Sequence, residues 1–229
     1  MCVILVPTTN HPSTETLAAA ENSNPHGAGI AWKNKKGTLS YEKAIDAARV
    51  LEIIKKENPP LPYIIHFRIA SVGDVCPKLT HPFPVNKKVH LKTTSKSENS
   101  LLFHNGTWRE WQESIMPFSG ESDFPDGTLE DWSDSRALAY MTYKTNKGFL
   151  KFVDEKIAIM EPDGSVKIYG KWDKHKTIWS SNLNHVKTTT YHGRDHYLYG
   201  DENDYWGHSY QYGYGPFHRT KTRDDIVGA

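Results

Sequence analysis

Met1-Cys2-Val3-Ile4-Leu5-Val6-Pro7 opens the chain with a thiol, then a short apolar run rich in β-branched residues that a proline ends. Val3–Val6 predicts a buried strand, because β-branched side chains suit a covered sheet and Pro7 punctuates it. Removal of Met1 would leave Cys2 with both a thiol and a free α-amine. An α-amine titrates near pKa ~8 and a thiol near ~8.5, so one residue can supply a nucleophile and its own base. Any residue can sit second in a chain, however. The weight of Cys2 depends on what the other segments bring to it.

Working outward, Ala28–Trp32 predicts a second strand, entered through the turn Asn24-Pro25-His26-Gly27. Ser40 is placed to cap a helix from Tyr41 to about Lys56. Ala44, Ala47, Ala48, Leu51 and Ile54 would make its apolar face, and Pro59-Pro60 would stop it. Tyr63–Arg68 returns as a strand, followed by a loop over Ser71–Pro84. A polar stretch, Thr93–Asn99, precedes a strand at Leu101–His104. Ser133 can cap a helix reaching about Tyr143, with Ala137, Leu138 and Met141 inward. Lys156–Met160 and Ser165–Tyr169 flank Asp163-Gly164, a hairpin signal, and Thr177–Ser180 is the last strand. The expectation is strands in the majority with two substantial helices among them.

The 229 residues suit one large domain with a core of its own. Lys and Arg number 28 against 27 Asp and Glu, a net charge of +1, so nothing argues for nucleic acid or for an acidic membrane surface. The apolar start is too short to span a membrane and lacks the basic opening of a signal peptide, which makes cytoplasmic residence the expectation. Cys2 and Cys76 cannot build a disulfide framework, and Cys76 is read as a small core residue. From about Tyr191 the chain is dense in Tyr, Gly, His and Asp with few aliphatic residues. Residues 191–229 therefore form a tail that cannot build a core. It is either partly ordered over the domain, disordered, or an aromatic platform for a partner.

Amide hydrolysis by a terminal cysteine needs hydrogen-bond donors aimed at the oxygen that gains charge, each worth about 3 kcal/mol. His104-Asn105-Gly106-Thr107 follows an apolar strand and can supply two: the Asn105 side-chain amide and the Gly106 backbone N–H. The same Asn-Gly pair also makes a plain tight turn. Arg68, at a strand end, either grips a carboxylate with two parallel bonds or forms a surface ion pair. Asp134, in the first turn of a helix, favours the helix dipole and is equally able to accept bonds from a substrate ammonium.

Taken in order, Cys2, Asn24-Pro25-His26-Gly27-Ala28-Gly29, His66-Phe67-Arg68-Ile69-Ala70-Ser71, His81-Pro82-Phe83-Pro84, Phe103-His104-Asn105-Gly106-Thr107 and Ser133-Asp134-Ser135 resemble the class II glutamine amidotransferases. These belong to the N-terminal-nucleophile hydrolases. The resemblance runs from Cys2 to about Asn182, where Trp179-Ser180-Ser181-Asn182 looks like the family's closing strand, within a domain taken as residues 1–190. It implies an α+β fold, a four-layer αββα sandwich of two antiparallel sheets between helical layers. It also implies hydrolysis of L-glutamine to L-glutamate and ammonia through a γ-glutamyl thioester on Cys2, with no cofactor and no metal. Asn105 and Gly106 match the oxyanion donors, Arg68 and Ser71 the carboxylate site, and Asp134 the residue holding the α-ammonium.

Two departures stand out. Ile69-Ala70-Ser71-Val72 replaces the family's usual Trp-Ala-Thr-His, and Arg136 stands where a glutamate is common. The inverted charge at Arg136 would either reshape the pocket mouth or face solvent. With about 45 residues past the resemblance, ammonia would pass to a separate acceptor synthase, or the protein is a free-standing hydrolase. Three rivals remain: a γ-glutamyl peptide or other amide hydrolase of the same fold, an inactive binding or regulatory protein, and metal binding by His185, His192, His196, His208 and His218.

Overall fold

The apolar run after Cys2 is strand β1, Val3–Pro7, buried along its whole length as the sequence predicts. Such a strand, covered on both faces, belongs in the middle of a layered fold. In the computed structural model of the protein, residues 1–70, 75–122, 124–125 and 127–186 are described. The elements that follow β1 are helix α1 (Thr14–Ser23), strands β2 (Ala28–Lys33) and β3 (Leu39–Ile45), helix α2 (Ala47–Glu57) and strands β4 (Ile64–Phe67), β5 (Phe83–Pro84), β6 (Thr94–Ser97) and β7 (Leu101–Asn105). Next come helices α3 (Trp111–Ile115) and α4 (Asp134–Lys144), then strands β8 (Lys156–Met160), β9 (Val166–Tyr169), β10 (Asp173–His175) and β11 (Ile178–Ser180).

The architecture is mixed α+β, with two antiparallel sheets and a few helices. One sheet runs β10-β11-β1-β4-β2-β3-β6 and the other β5-β7-β8-β9. In the first, β1 lies between β11 and β4, paired through Leu5↔Ser180 and Val3↔Phe67. Side chains alternate across β7 and β8. Leu101, Phe103, Ala158 and Met160 pack into one core with β1, β2, β4, α1 and α2. Leu102, Ile157 and Ile159 pack into a second core with Ala137, Leu138 and Met141 of α4 and Trp111 of α3. Each fully buried aliphatic side chain stabilises the fold by roughly 1.5–3 kcal/mol, so this period-two division of one strand pair is what fixes its orientation.

The helix over Tyr41–Lys56 is corrected. Leu39, Tyr41 and Lys43 alternate inward along β3, and the helix starts only at Ala47, capped by Asp46, whose carboxylate accepts the Arg49 N–H at 2.7 Å. Ser40 is thus a strand residue. Val50, Ile53 and Ile54 form the buried face of α2 with Ala47, while Ala48 is exposed. Asn58, in the left-handed conformation at φ 44°, ends the helix ahead of Pro59. Three helices of ten or more residues are present among the described residues, since α1 joins the expected pair. Part of the polar stretch Thr93–Asn99 pairs with β3 as edge strand β6.

The Asp163-Gly164 hairpin joins β8 to β9 as expected, with Gly164 at φ +88°. The helix capped by Ser133 spans Asp134–Lys144. No helix among the described residues is long and apolar enough to cross a membrane. Residues 191–229, the expected tail, lie outside the described residues, as do Ser71 and Val72.

Candidate active site

Cys2 stands one residue before β1, beside the end of β4. Its thiol donates to Ile69 O at 3.3 Å and accepts the Ile69 N–H at 3.4 Å. Burial raises the thiol pKa above its ordinary value; the Ile69 backbone and Arg68 oppose this, and Asp134 adds to it. A thiol held protonated is a poor nucleophile until a base removes its proton. The Cys2 nitrogen here is in a peptide bond to Met1, which is 72% exposed.

Arg68 follows β4 and is 4% exposed, so the surface-ion-pair reading does not hold. Its backbone is locked to the Asn24–Gly27 turn: Arg68 N–H donates to Gly27 O and Arg68 O accepts the His26 N–H, both at 2.9 Å. Gly27 sits at φ +98°, a conformation that favours glycine. The His26 ring accepts the Ala70 N–H at 2.9 Å. A turn more than 40 residues earlier in sequence therefore sets where Arg68 and Ala70 stand.

Asn105 ends β7 and is buried. Its side-chain Nδ2 donates to Ser181 Oγ at 2.7 Å, and Ser181 Oγ also accepts the Ile4 N–H at 2.9 Å. Asn182 Nδ2 donates to the Cys2 carbonyl at 2.6 Å. One Asn105 N–H is thus committed to Ser181, which orients the amide and leaves its second hydrogen for another acceptor. Gly106 is glycine for a reason the sequence did not reveal. A Cβ there would fall 1.7 Å from Glu155 Oε2, and Glu155 Oε1 accepts the Thr107 N–H at 3.1 Å.

Asp134 opens α4, where the helix dipole favours an anion. Its Oδ1 accepts the Ser135 N–H at 2.7 Å and its Oδ2 the Trp108 N–H at 3.2 Å. Ser135 Oγ lies 3.0 Å from His104 Nδ1, and Asp134 Oδ2 lies 3.9 Å from the same nitrogen. Burial lowers the His104 pKa, while Asp134 and Glu155 pull it back. Arg136 is corrected in one respect, since it does not face solvent, and it is not among the residues that border the cleft. At 2% exposed, it donates to Val89 O at 3.1 Å and Asp131 O at 2.7 Å and lies over the Trp132 ring.

Cys2, Arg68, Gly106 and Asp134, from four separate segments, border one cleft together with His81 and His104. The space between these residues, open mouth included, is about 330 Å³. Arg68 and Asp134 supply opposite charges, the pattern a zwitterionic α-amino acid requires. Asn105 does not border the cleft, and Ser71 lies outside the described residues. Among the residues described, no group of His, Cys, Asp and Glu is arranged to hold a metal ion. His185 is buried, and the other tail histidines fall outside the described residues. Reading the sequence missed the roles of Ser181, Asn182, Ser135, His104 and His81. All five lie inside the segments quoted above, but a single serine or histidine carries no periodicity to single it out. A scan against protein-family models and a search of curated proteins both find no match for this chain.

Proposed function

We propose that the protein is an amidohydrolase of the class II glutamine amidotransferase type, acting on L-glutamine or a related γ-glutamyl amide with Cys2 as nucleophile. What supports the reading is a single observation: Cys2, Arg68, Gly106 and Asp134, far apart in sequence, border one cleft. The fold reading is the αββα sandwich of N-terminal-nucleophile hydrolases. It is supported by two antiparallel sheets sharing a core, with α1 and α2 packed on one and α4 on the other.

Once Met1 is removed, the Cys2 α-amine takes the thiol proton and the sulfur attacks the γ-carbonyl carbon. The charge that grows on the carbonyl oxygen is met by the Gly106 N–H at the cleft wall, with the second N–H of Asn105, one residue behind that wall, as the other donor this reading requires. The C–N bond breaks, the α-ammonium returns its proton, and ammonia leaves. Water then attacks the thioester, giving up a proton to the amine, and glutamate departs as the thiol re-forms. Arg68 holds the α-carboxylate and Asp134 the α-ammonium, so the γ-amide is presented to the sulfur.

The reading is tested by ammonia release from L-glutamine with wild-type protein and Cys2→Ala. Turnover is expected in the first and none above background in the second, with the same thermal unfolding. Equal turnover in both would overturn it.

A further inference from the structure

His81 borders the cleft beside Leu79, yet it is 4% exposed and neither ring nitrogen has a hydrogen-bond partner among the described residues. A buried polar atom left unpaired costs about 1–3 kcal/mol, and such atoms in native proteins call for an explanation. The ring is not loosely placed. It lies 4.1 Å from the His66 ring, 5.3 Å from Phe83 edge-on and 6.3 Å from Phe103 nearly parallel. Its backbone is pressed onto β2, where a Cβ on Gly29 would fall 1.9 Å from His81 O. Lys43 pins the same segment from β3, donating to Lys78 O at 2.9 Å and Pro82 O at 3.3 Å.

We propose that His81 is a substrate-contacting residue that donates an N–H to the α-carboxylate held by Arg68. This rests on the amidohydrolase reading for the identity of the substrate. The two histidines of the cleft face opposite electrostatic surroundings. His104 has Asp134 and Ser135 beside it, on the side assigned to the ammonium. Arg68 and Lys43 are the charged groups acting on His81, although burial pulls the Lys43 pKa down to about 7, and no carboxylate is among them. These, after burial and the neighbouring imidazoles His66 and His104, hold its pKa well below the usual imidazole value. A neutral imidazole always carries one N–H, so His81 offers a donor at any pH where the protein works. An incoming carboxylate gives that donor an acceptor and gives the cationic wall an anion.

Calorimetry with L-glutamate tests this, because the product carries the same two ends and is not consumed. 4-Aminobutyrate, which lacks the α-carboxylate, serves as control. His81→Phe should bind L-glutamate ~10-fold or more weakly, with affinity for 4-aminobutyrate within about twofold of wild type. Its melting temperature should not fall, since a Phe ring suits these aromatic neighbours. His81→Gln, which keeps an N–H, should recover part of the L-glutamate affinity. Unchanged L-glutamate binding, an equal loss for both ligands, or no L-glutamate binding by the wild type would each overturn the proposal. Ammonia release from L-glutamine, measured alongside, separates the two claims. Release with unchanged binding in His81→Phe refutes only the His81 role, and the expected binding loss without release refutes only the amidohydrolase reading.

Discussion

Asn105 and Ser181 are joined at 2.7 Å, and the same Ser181 oxygen receives the Ile4 N–H at 2.9 Å. This one hydroxyl connects the end of β7 in the smaller sheet to β1 in the larger, beside Cys2. The amide expected to stabilise the oxyanion is therefore aimed by a residue 76 positions away. Ser181→Ala should release it. The expected outcome is a fall in kcat for glutamine of roughly 10-fold or more with KM little changed, because the lost interaction forms in the transition state. Steady-state kinetics on the purified variant check this; a raised KM with normal kcat would contradict it.

Arg68→Lys keeps the charge and loses the planar two-pronged geometry. KM for glutamine should rise by ~10-fold while kcat holds, since the clamp serves substrate and transition state alike. A normal KM would remove Arg68 from the carboxylate site.

Gly106→Ala tests the close approach of Glu155. The added methyl occupies the position of Glu155 Oε2, so the carboxylate must swing away and release the Thr107 N–H. Because a glutamate tip is flexible, the variant should fold. The disturbed 106–107 backbone should still lower kcat by roughly 10²-fold, within the range for loss of one oxyanion donor. Wild-type kcat in a variant with confirmed Gly106→Ala would contradict the assignment.

The buried imidazoles His66, His81 and His104 predict a pH effect on stability. Burial lowers all three below their unfolded value of 6.5, His66 to about 3. Between those limits the unfolded chain binds more protons than the folded one, so stability falls as pH drops below about 6.5. Each fully shifted group contributes a slope of about 1.4 kcal/mol per pH unit. Urea unfolding at pH 5, 6 and 7 should show this loss, and His66→Phe should shrink it. A flat profile from pH 5 to 7 would contradict the buried, neutral cluster.

Much of the strand framework was legible because Val3–Val6, Leu101–His104 and the pair around Asp163-Gly164 carry their burial and turns in local pattern. Helix α4 was legible too, from Ser133 and the spacing of Ala137, Leu138 and Met141. The β3 region misled for a physical reason. Lys43 occupies an inward strand position, which hides the alternation of Leu39 and Tyr41, and Ala44 aligns with the helical apolar face that follows. Helix α1 has weak amphipathicity over Thr14–Ser23, so no stripe announces it. Cys2, Arg68, Gly106 and Asp134, which border one cleft, could be named from motif order alone. The supporting bonds could not: Asn105 with Ser181, Asn182 with the Cys2 carbonyl, and His104 with Ser135 all join segments distant in sequence.

Cys2, freed of Met1, is the nucleophile proposed for a glutamine-shaped substrate. A diazoketone analogue of L-glutamine alkylates an attacking thiolate with loss of N₂, leaving a stable thioether. Intact-mass and peptide mass spectrometry of the treated protein report Met1 and the modified residue together. One adduct is expected, on Cys2 at the new N-terminus, blocked by excess L-glutamine, with Cys76 unmodified. Fully retained Met1 with no adduct, or an adduct on Cys76 alone, would contradict it.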